Sequence, residues 1–124
     1  MRSTEDLGKF IQKCSILGID DYEINANKRK LVKYRGNSKV VKIPYGIKNI
    51  GSECFVHNLD IEKVIIPATV KSIGARAFLR CVNLKEIEIQ ENNIEFMGSL
   101  CFYGCKSLND SLIQNTIEKC LILT

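Results

Sequence analysis

The residues with the most evident chemistry in this chain are six cysteines, one histidine and two closely spaced glutamates. Cysteine and histidine together can bind zinc, but structural zinc sites use C-x-x-C pairs or several histidines. No C-x-x-C pair occurs, and His57 is the single histidine. The sequence therefore predicts no metal site and no cofactor.

Catalysis has little support in the same residues. His57 belongs to no Ser-His-acid pattern and falls in an expected surface turn. Glu86 and Glu88 alternate along one strand and so share a face, but acid–base carboxylates need a pocket that perturbs their pKa values. We therefore predict a protein that is not an enzyme, with both glutamates on a charged surface.

The cysteines themselves are expected to pack in the interior, because free cysteine is among the most buried residue types. A disulfide is the alternative, since Cys101 and Cys105 can meet across a turn and Cys81 is one repeat from Cys105. Reduced thiols are favoured for an intracellular chain.

Charge is distributed unevenly along the chain. The net charge of +4 combines eight Lys or Arg and no acidic residue between Ile24 and Ser52 with an acidic excess elsewhere. Such a segment can bind phosphate, an acidic polysaccharide or an acidic protein. A solvated lysine-rich edge hairpin is favoured, because no nucleic-acid motif accompanies it. The candidate anion-binding residues are Lys28, Arg29, Lys30, Lys33, Arg35 and Lys39.

An internal repeat positions all of these residues. Each of nine residues between Ile43 and Val64 is matched 23 positions later by a residue of the same chemical type. A third copy of the pattern follows after one extra residue near Asn92. A period of this length indicates stacked units, none of which can bury its apolar edge alone. Each unit is predicted to contain two short strands joined by tight turns, because its apolar groups are short and punctuated by Gly and Pro.

Stacking places equivalent positions in columns along the sheet. Phe55, Phe78 and Phe102 are predicted to form one buried column, and Ile61, Leu84 and Leu108 another. The repeat glycines Gly51, Gly74 and Gly98 require either a positive φ or the close approach of another backbone. Outward positions form the surface that such repeats use for binding, and the predicted partner-binding residues are Lys42, Lys63, Ile65, Glu86 and Glu88.

The run Ile-Pro-x-x-Val-x-x-Ile-Gly-x-x-Ala-Phe-x-x-Cys-x-x-Leu-x-x-Ile, from Ile66 to Ile87, resembles the BspA-type leucine-rich repeat. The resemblance covers residues 21–113, although Asn58 replaces the first repeat's cysteine and the third repeat lacks the Ile-Pro pair. It implies an interaction module, often a surface adhesin, without catalytic residues. We predict protein–protein interaction on the concave sheet, with polyanion or nucleic-acid binding through Lys28 to Lys48 as the alternative.

The predicted fold is mainly β, a single domain built as a short solenoid of about three repeats. Residues 1–20 are expected to form an N-terminal helical cap, 21–42 a lead-in hairpin, 43–113 the repeats and 109–124 a C-terminal cap. Helical spacing favours a helix for this last cap, and a fourth, degenerate repeat with Ile113, Ile117 and Cys120 at core positions is the alternative.

The location is predicted from what the chain lacks. No window approaches the 18 apolar residues of a membrane span, and the first residues lead into no apolar signal segment. A cytoplasmic location follows, with a surface or secreted location as the alternative if the chain is a fragment.

Overall fold

The computed structural model describes residues 21–108 and 121–123, which form nine strands in two sheets and no helix. In chain order the strands are β1 (Tyr22–Asn25), β2 (Lys30–Tyr34), β3 (Val40–Lys42), β4 (Asn49–Ile50), β5 (Lys63–Ile66), β6 (Ser72–Ile73), β7 (Glu86–Ile89), β8 (Phe96–Gly98) and β9 (Leu121–Leu123). One sheet has the order β1-β2-β4-β6-β8-β9, and the other has the order β3-β5-β7.

The strand register follows the repeat period. Apart from the antiparallel hairpin of β1 and β2, every pairing is parallel. Val40 lies beside Lys63 and Lys63 beside Glu86, while Ile50 lies beside Ile73. The two sheets therefore receive strands from each repeat in turn, as the sequence predicted.

Stacked side chains fill the space between the sheets. Phe78 lies between Phe55 and Phe102 with ring centroids 4.8 and 5.4 Å apart and nearly parallel planes. Tyr34 and Tyr22 extend this column into the hairpin at centroid distances of 5.3 and 5.1 Å. The predicted aliphatic column is buried as well, at Ile61, Leu84 and Leu108. Both predicted core columns are thus confirmed.

The repeat glycines allow neighbouring turns to approach closely. A Cβ on Gly74 would lie 2.5 Å from the Ser52 nitrogen, and one on Gly98 would lie 2.3 Å from the Ala75 nitrogen. The positive φ values in the described chain occur at other residues. Of the two explanations that the sequence left open, close backbone approach is therefore correct.

The turns that follow these glycines stack by hydrogen bonds of their own. The Phe55 nitrogen donates to the Ala77 oxygen at 2.7 Å, and the Phe78 nitrogen donates to the Cys101 oxygen at 2.9 Å. Two positions of each turn have a left-handed backbone: Glu53, Arg76 and Leu100 at the first, and His57, Arg80 and Gly104 at the second. This repetition places His57 on an exposed turn, as predicted.

The C-terminal prediction of a helix over 109–124 is wrong where the structure describes that segment. Leu121–Leu123 is strand β9, parallel to β8, with Ile122 beside Met97. Parallel pairing with β9 provides hydrogen-bond partners for the backbone groups at the open edge of β8, which a helix cannot do. Ile122 therefore occupies the repeat position of Ile73 and Met97. The fourth-repeat alternative placed Cys120 at that position, so its alignment was shifted by two residues. Residues 109–120 lie outside the described residues.

The predicted N-terminal helical cap, residues 1–20, also lies outside the described residues. Within the part of the chain that is described, no helix is long and apolar enough to cross a membrane.

Candidate binding surfaces

The predicted partner-binding residues come together on the outer face of the three-stranded sheet. On β5 and β7, Val64 and Ile87 point into the core, so the alternate residues Lys63, Glu86 and Glu88 point outward. Lys42 lies beside Ile65, and Ile65 lies beside Glu88. We call the surface of Lys42, Lys63, Ile65, Glu86 and Glu88 the sheet face.

Lys63 is the electrostatic centre of the sheet face. Its Nζ lies 3.3 Å from Glu86 Oε2 and 3.3 Å from Glu88 Oε1. Hydrogen bonds to Glu88 and then Glu86 raise the pKa of Lys63 above its ordinary value. One lysine thus orders two carboxylates, and the group carries a net negative charge at neutral pH.

Apolar surface adjoins these charges. Val40, at the start of β3, is 55% exposed, and Ile65 on the neighbouring strand is half-buried between Lys42 and Glu88. Lys42 is exposed, and its carbonyl accepts a hydrogen bond from the Tyr22 hydroxyl at 3.2 Å. Ile65 is thus bordered by Lys42 on β3, Lys63 on its own strand and Glu88 on β7, while Val40 lies on the edge strand β3.

All four described cysteines are buried, and Cys54, Cys81 and Cys105 are free thiols, in agreement with the favoured prediction of packed, reduced thiols. Cys81 Sγ donates to the Phe55 oxygen and Cys105 Sγ donates to the Phe78 oxygen, each at 3.0 Å. The neighbouring Cys105 thiol and burial both raise the pKa of Cys81, and burial raises the pKa of Cys54 to about 12. Thiols of this kind are poor nucleophiles, because the thiolate is the reactive form.

Asn58 takes the place of cysteine in the first repeat and makes the equivalent link between turns. Its Nδ2 donates to the Gly36 oxygen at 3.3 Å, and its Oδ1 accepts from the Asp60 and Ile61 nitrogens at 3.0 Å. The substitution noted in the sequence therefore retains a side-chain donor at this column and adds a turn cap.

His57 lines a shallow depression of about 400 Å³ together with Lys33, Arg35 and Asp60. The described residues that line this depression include no serine, threonine or cysteine. Among residues 21–108 and 121–123, no group of three or more His, Cys, Asp or Glu is arranged to hold a metal ion.

The structure separates the six candidate anion-binding residues. Lys28 and Arg29 form the turn of the hairpin, and Lys30 begins β2. Lys33 Nζ donates to the Glu53 oxygen at 3.0 Å, and Arg35 pairs with Glu23 at 2.6 Å. Lys39 precedes β3 and so belongs to the other sheet. The six do not form one patch.

A groove on the six-stranded sheet contains residues that our sequence reasoning missed. Besides Lys28 and Lys30, it is lined by Asn49, Ser52 and Ser72. The repeat could have revealed them, because Lys30 lies beside Asn49 and Asn49 beside Ser72 in the strand register. The outward residues predicted for partner binding all lie on the three-stranded sheet.

Residues 30–121, more than half of the chain, match a family described as the BspA type leucine-rich repeat region (6 copies). None of the curated proteins matches the chain.

Similar solved structures are bacterial leucine-rich repeat proteins. A leucine-rich repeat protein of T. pallidum is 23% identical, with a TM-score of 0.61 over 70% of this chain and 44% of its own. A leucine-rich cell surface protein of Faecalibacterium prausnitzii is 29% identical, with a TM-score of 0.61 over 71% of this chain and 27% of its own. The pneumococcal vaccine antigen PcpA is 26% identical, with a TM-score of 0.65 over 74% and 24%. This chain spans less than half the length of each.

Proposed function

The chain belongs to the BspA-type leucine-rich repeat family, and from this premise we propose that its repeats form a short solenoid that binds a protein partner without catalysis. The sheet face is the proposed binding surface. The observation that carries the proposal is the ordered group of Lys63, Glu86 and Glu88 beside exposed Val40 and half-buried Ile65.

Rigidity is the first support for this proposal. β5 is hydrogen-bonded on both sides, to β3 and to β7, and its inward residues Val64 and Ile66 are fully buried. Its outward side chains therefore keep a fixed spacing. A surface that is already ordered loses less conformational entropy when it binds.

Surface chemistry is the second support. An apolar centre bordered by charged residues matches the common anatomy of protein interfaces. Lys42 and the two glutamates lie on different strands, which gives the surface a polarity across the sheet. A partner with complementary charges would be oriented by this polarity, and its on-rate would fall with salt more than its affinity.

The proposal is tested by site-specific photo-cross-linking in cells that produce the chain. Ile65 is replaced by p-benzoylphenylalanine, and Tyr103, which is 59% exposed on a stacked turn, receives the same replacement as a control. We expect a discrete protein adduct from position 65 and none from position 103. Equal adducts from both positions, or none from position 65, would contradict the proposal.

A charge substitution then tests the same surface in binding. Ile65→Glu adds a third carboxylate beside Glu88 and removes the apolar centre, so we expect loss of the cross-linked partner at both 50 and 500 mM NaCl. Lys85→Glu, which changes an exposed residue outside the sheet face, is the matched control. Binding that survives Ile65→Glu would exclude the sheet face.

We also propose a surface location. One similar structure is described as a cell surface protein, which favours the surface alternative over the cytoplasmic prediction. Labelling of intact cells with a membrane-impermeant amine reagent should modify the exposed lysines of this chain. Modification only after lysis would support the cytoplasmic prediction instead.

A further inference from the structure

A shallow groove of about 280 Å³ lies on the outer face of the six-stranded sheet. Its lining includes Lys30 on β2, Asn49 on β4 and Ser72 on β6, which are neighbours in the strand register. Lys28, Gly51 and Ser52 also belong to the lining. The groove therefore runs along the stack and crosses three adjacent strands, one from the hairpin and one from each of the first two repeats.

Lysines accompany the groove at the repeat spacing. Lys48 and Lys71 directly precede Asn49 and Ser72, and both are exposed. The Lys71 nitrogen donates to the Lys48 oxygen at 2.7 Å, so the two are on adjacent strands. With Lys28 and Lys30 they make four lysines in or next to three adjacent strands, whose backbones together span about 10 Å at about 4.8 Å per strand spacing.

The ion pairs that involve described residues leave these four lysines out. Glu95 follows Lys71 in the same column, because its nitrogen donates to the Lys71 oxygen at 2.7 Å. The basic run therefore ends after the third strand, at the same place as the groove.

The groove is polar and narrow between these charges. Ser72 Oγ donates to Asn49 Oδ1 at 2.7 Å, and Asn49 Nδ2 donates to the Lys28 oxygen at 3.2 Å. An amide nitrogen has a second hydrogen to donate, and a serine hydroxyl also accepts. Gly51 and Gly74 leave the space unfilled, since a Cβ at Gly51 would contact Lys30 Cε at 3.2 Å.

We propose that this groove binds a linear anionic polysaccharide, whose acidic groups pair with Lys28 and Lys30 in the groove and with Lys48 and Lys71, which directly precede lining residues, while its hydroxyls pair with Asn49, Ser52 and Ser72. Among the described residues that line the groove none is aromatic, whereas proteins that bind single-stranded nucleic acid stack bases on aromatic rings. Lysine acts as a point charge and needs no planar, bidentate acceptor. The groove and the sheet face are on different sheets, so this inference does not depend on the proposed protein binding.

The first measurement is the affinity of the whole chain for fluorescently labelled heparin, by anisotropy, from 50 to 200 mM NaCl. Four contacts at about 0.7 released counterions each predict a slope of about −3 in log affinity against log salt. That slope corresponds to roughly 50-fold weaker binding over this salt range. No binding at 50 mM NaCl would overturn the proposal.

Variants then separate the groove from general charge attraction. Lys48→Gln with Lys71→Gln should weaken heparin binding at least tenfold and halve the salt slope, because two of four contacts are lost. Lys85→Gln with Lys106→Gln removes the same charge from exposed residues that neither line the groove nor adjoin a lining residue in sequence, and should change affinity less than twofold. Equal losses in both variants would overturn the proposal.

Two further comparisons test the shape of the site and its ligand. Ser52→Leu fills the groove without removing charge, and we expect at least fivefold weaker heparin binding with an unchanged circular dichroism spectrum. A random 20-base-pair DNA duplex should bind at least tenfold more weakly than heparin at the same salt. Unchanged binding by Ser52→Leu, or DNA that binds as tightly as heparin, would exclude a polysaccharide groove.

Discussion

Gly74→Ala gives a direct test of how the repeats stack, because it should change stability in the direction opposite to the usual one. The φ of Gly74 is not in the left-handed region, so its own backbone tolerates a Cβ. At such positions Gly→Ala normally stabilises a protein by about 0.4–1 kcal/mol through the unfolded state. Here the added carbon meets the neighbouring turn.

The expected magnitude follows from the contacts of that Cβ. It would lie 2.5 Å from the Ser52 nitrogen, 2.8 Å from the Gly51 carbonyl carbon and 2.9 Å from the Ser52 Cα. All three atoms are backbone, so relief requires that two stacked turns separate. Overpacking of this kind costs about 1–3 kcal/mol, and we expect a loss near the upper end, about 2–3 kcal/mol.

The assay is equilibrium urea unfolding followed by far-ultraviolet circular dichroism, which suits a chain without tryptophan. Gly51→Ala is the matched control, because its closest contact is longer, 2.9 Å to the Leu31 oxygen. It should destabilise less than Gly74→Ala. If Gly74→Ala is neutral or stabilising, the close approach of the turns is not what selects glycine, and the reasoning is refuted.

Three more predictions follow from the core and the sheet face. Phe78→Ala should cost about 3–5 kcal/mol in the same unfolding assay, since Phe78 is 0% exposed and stacked on both sides; a loss below about 1 kcal/mol would contradict the stacked column. Cys54 should resist iodoacetamide at pH 8 until the protein is denatured, because burial raises its pKa to about 12. Mass spectrometry measures the labelling, and modification of Cys54 in the folded protein would contradict this prediction. Glu88 and Glu86 raise the pKa of Lys63, so this ion pair should stabilise the folded protein fully below the unfolded pKa of about 10.4. The stabilisation should disappear as pH rises through the folded pKa, and Lys63→Met should destabilise the protein only where the stabilisation is present. Unfolding of both proteins at pH 7 and pH 11 measures this, and an NMR titration that finds the Lys63 pKa below 10.4 would contradict it.

Much of the fold follows from spacing alone, because a repeat turns local pattern into long-range contact. The 23-residue period correctly paired Lys63 with Glu86 and placed Phe55, Phe78 and Phe102 in one column. Departures from that period were harder to interpret. The last described strand, Leu121–Leu123, was predicted as helix because its neighbours fit helical spacing, and tertiary pairing with β8 outweighed that preference.

The binding surfaces, too, could be predicted from the sequence only in part. Strand alternation predicts which residues of β5 and β7 point outward, but not that one lysine contacts two carboxylates. Counting charge finds the basic segment, yet Arg35 pairs with Glu23 and Lys39 belongs to the other sheet. These outcomes depend on distances between residues far apart in sequence, which composition does not specify.

The amino-acid sequence by itself determined the repeat, the core columns and the alternation of inward and outward residues, since these depend on period and polarity. The tertiary structure decided why glycine stands at Gly74 and Gly98, which cysteines hydrogen-bond across turns, and which lysines share a groove with Asn49 and Ser72. The physical reason is that period sets the order of residues along the stack, whereas the separation and tilt of successive turns set the distances at which backbone and side chains meet.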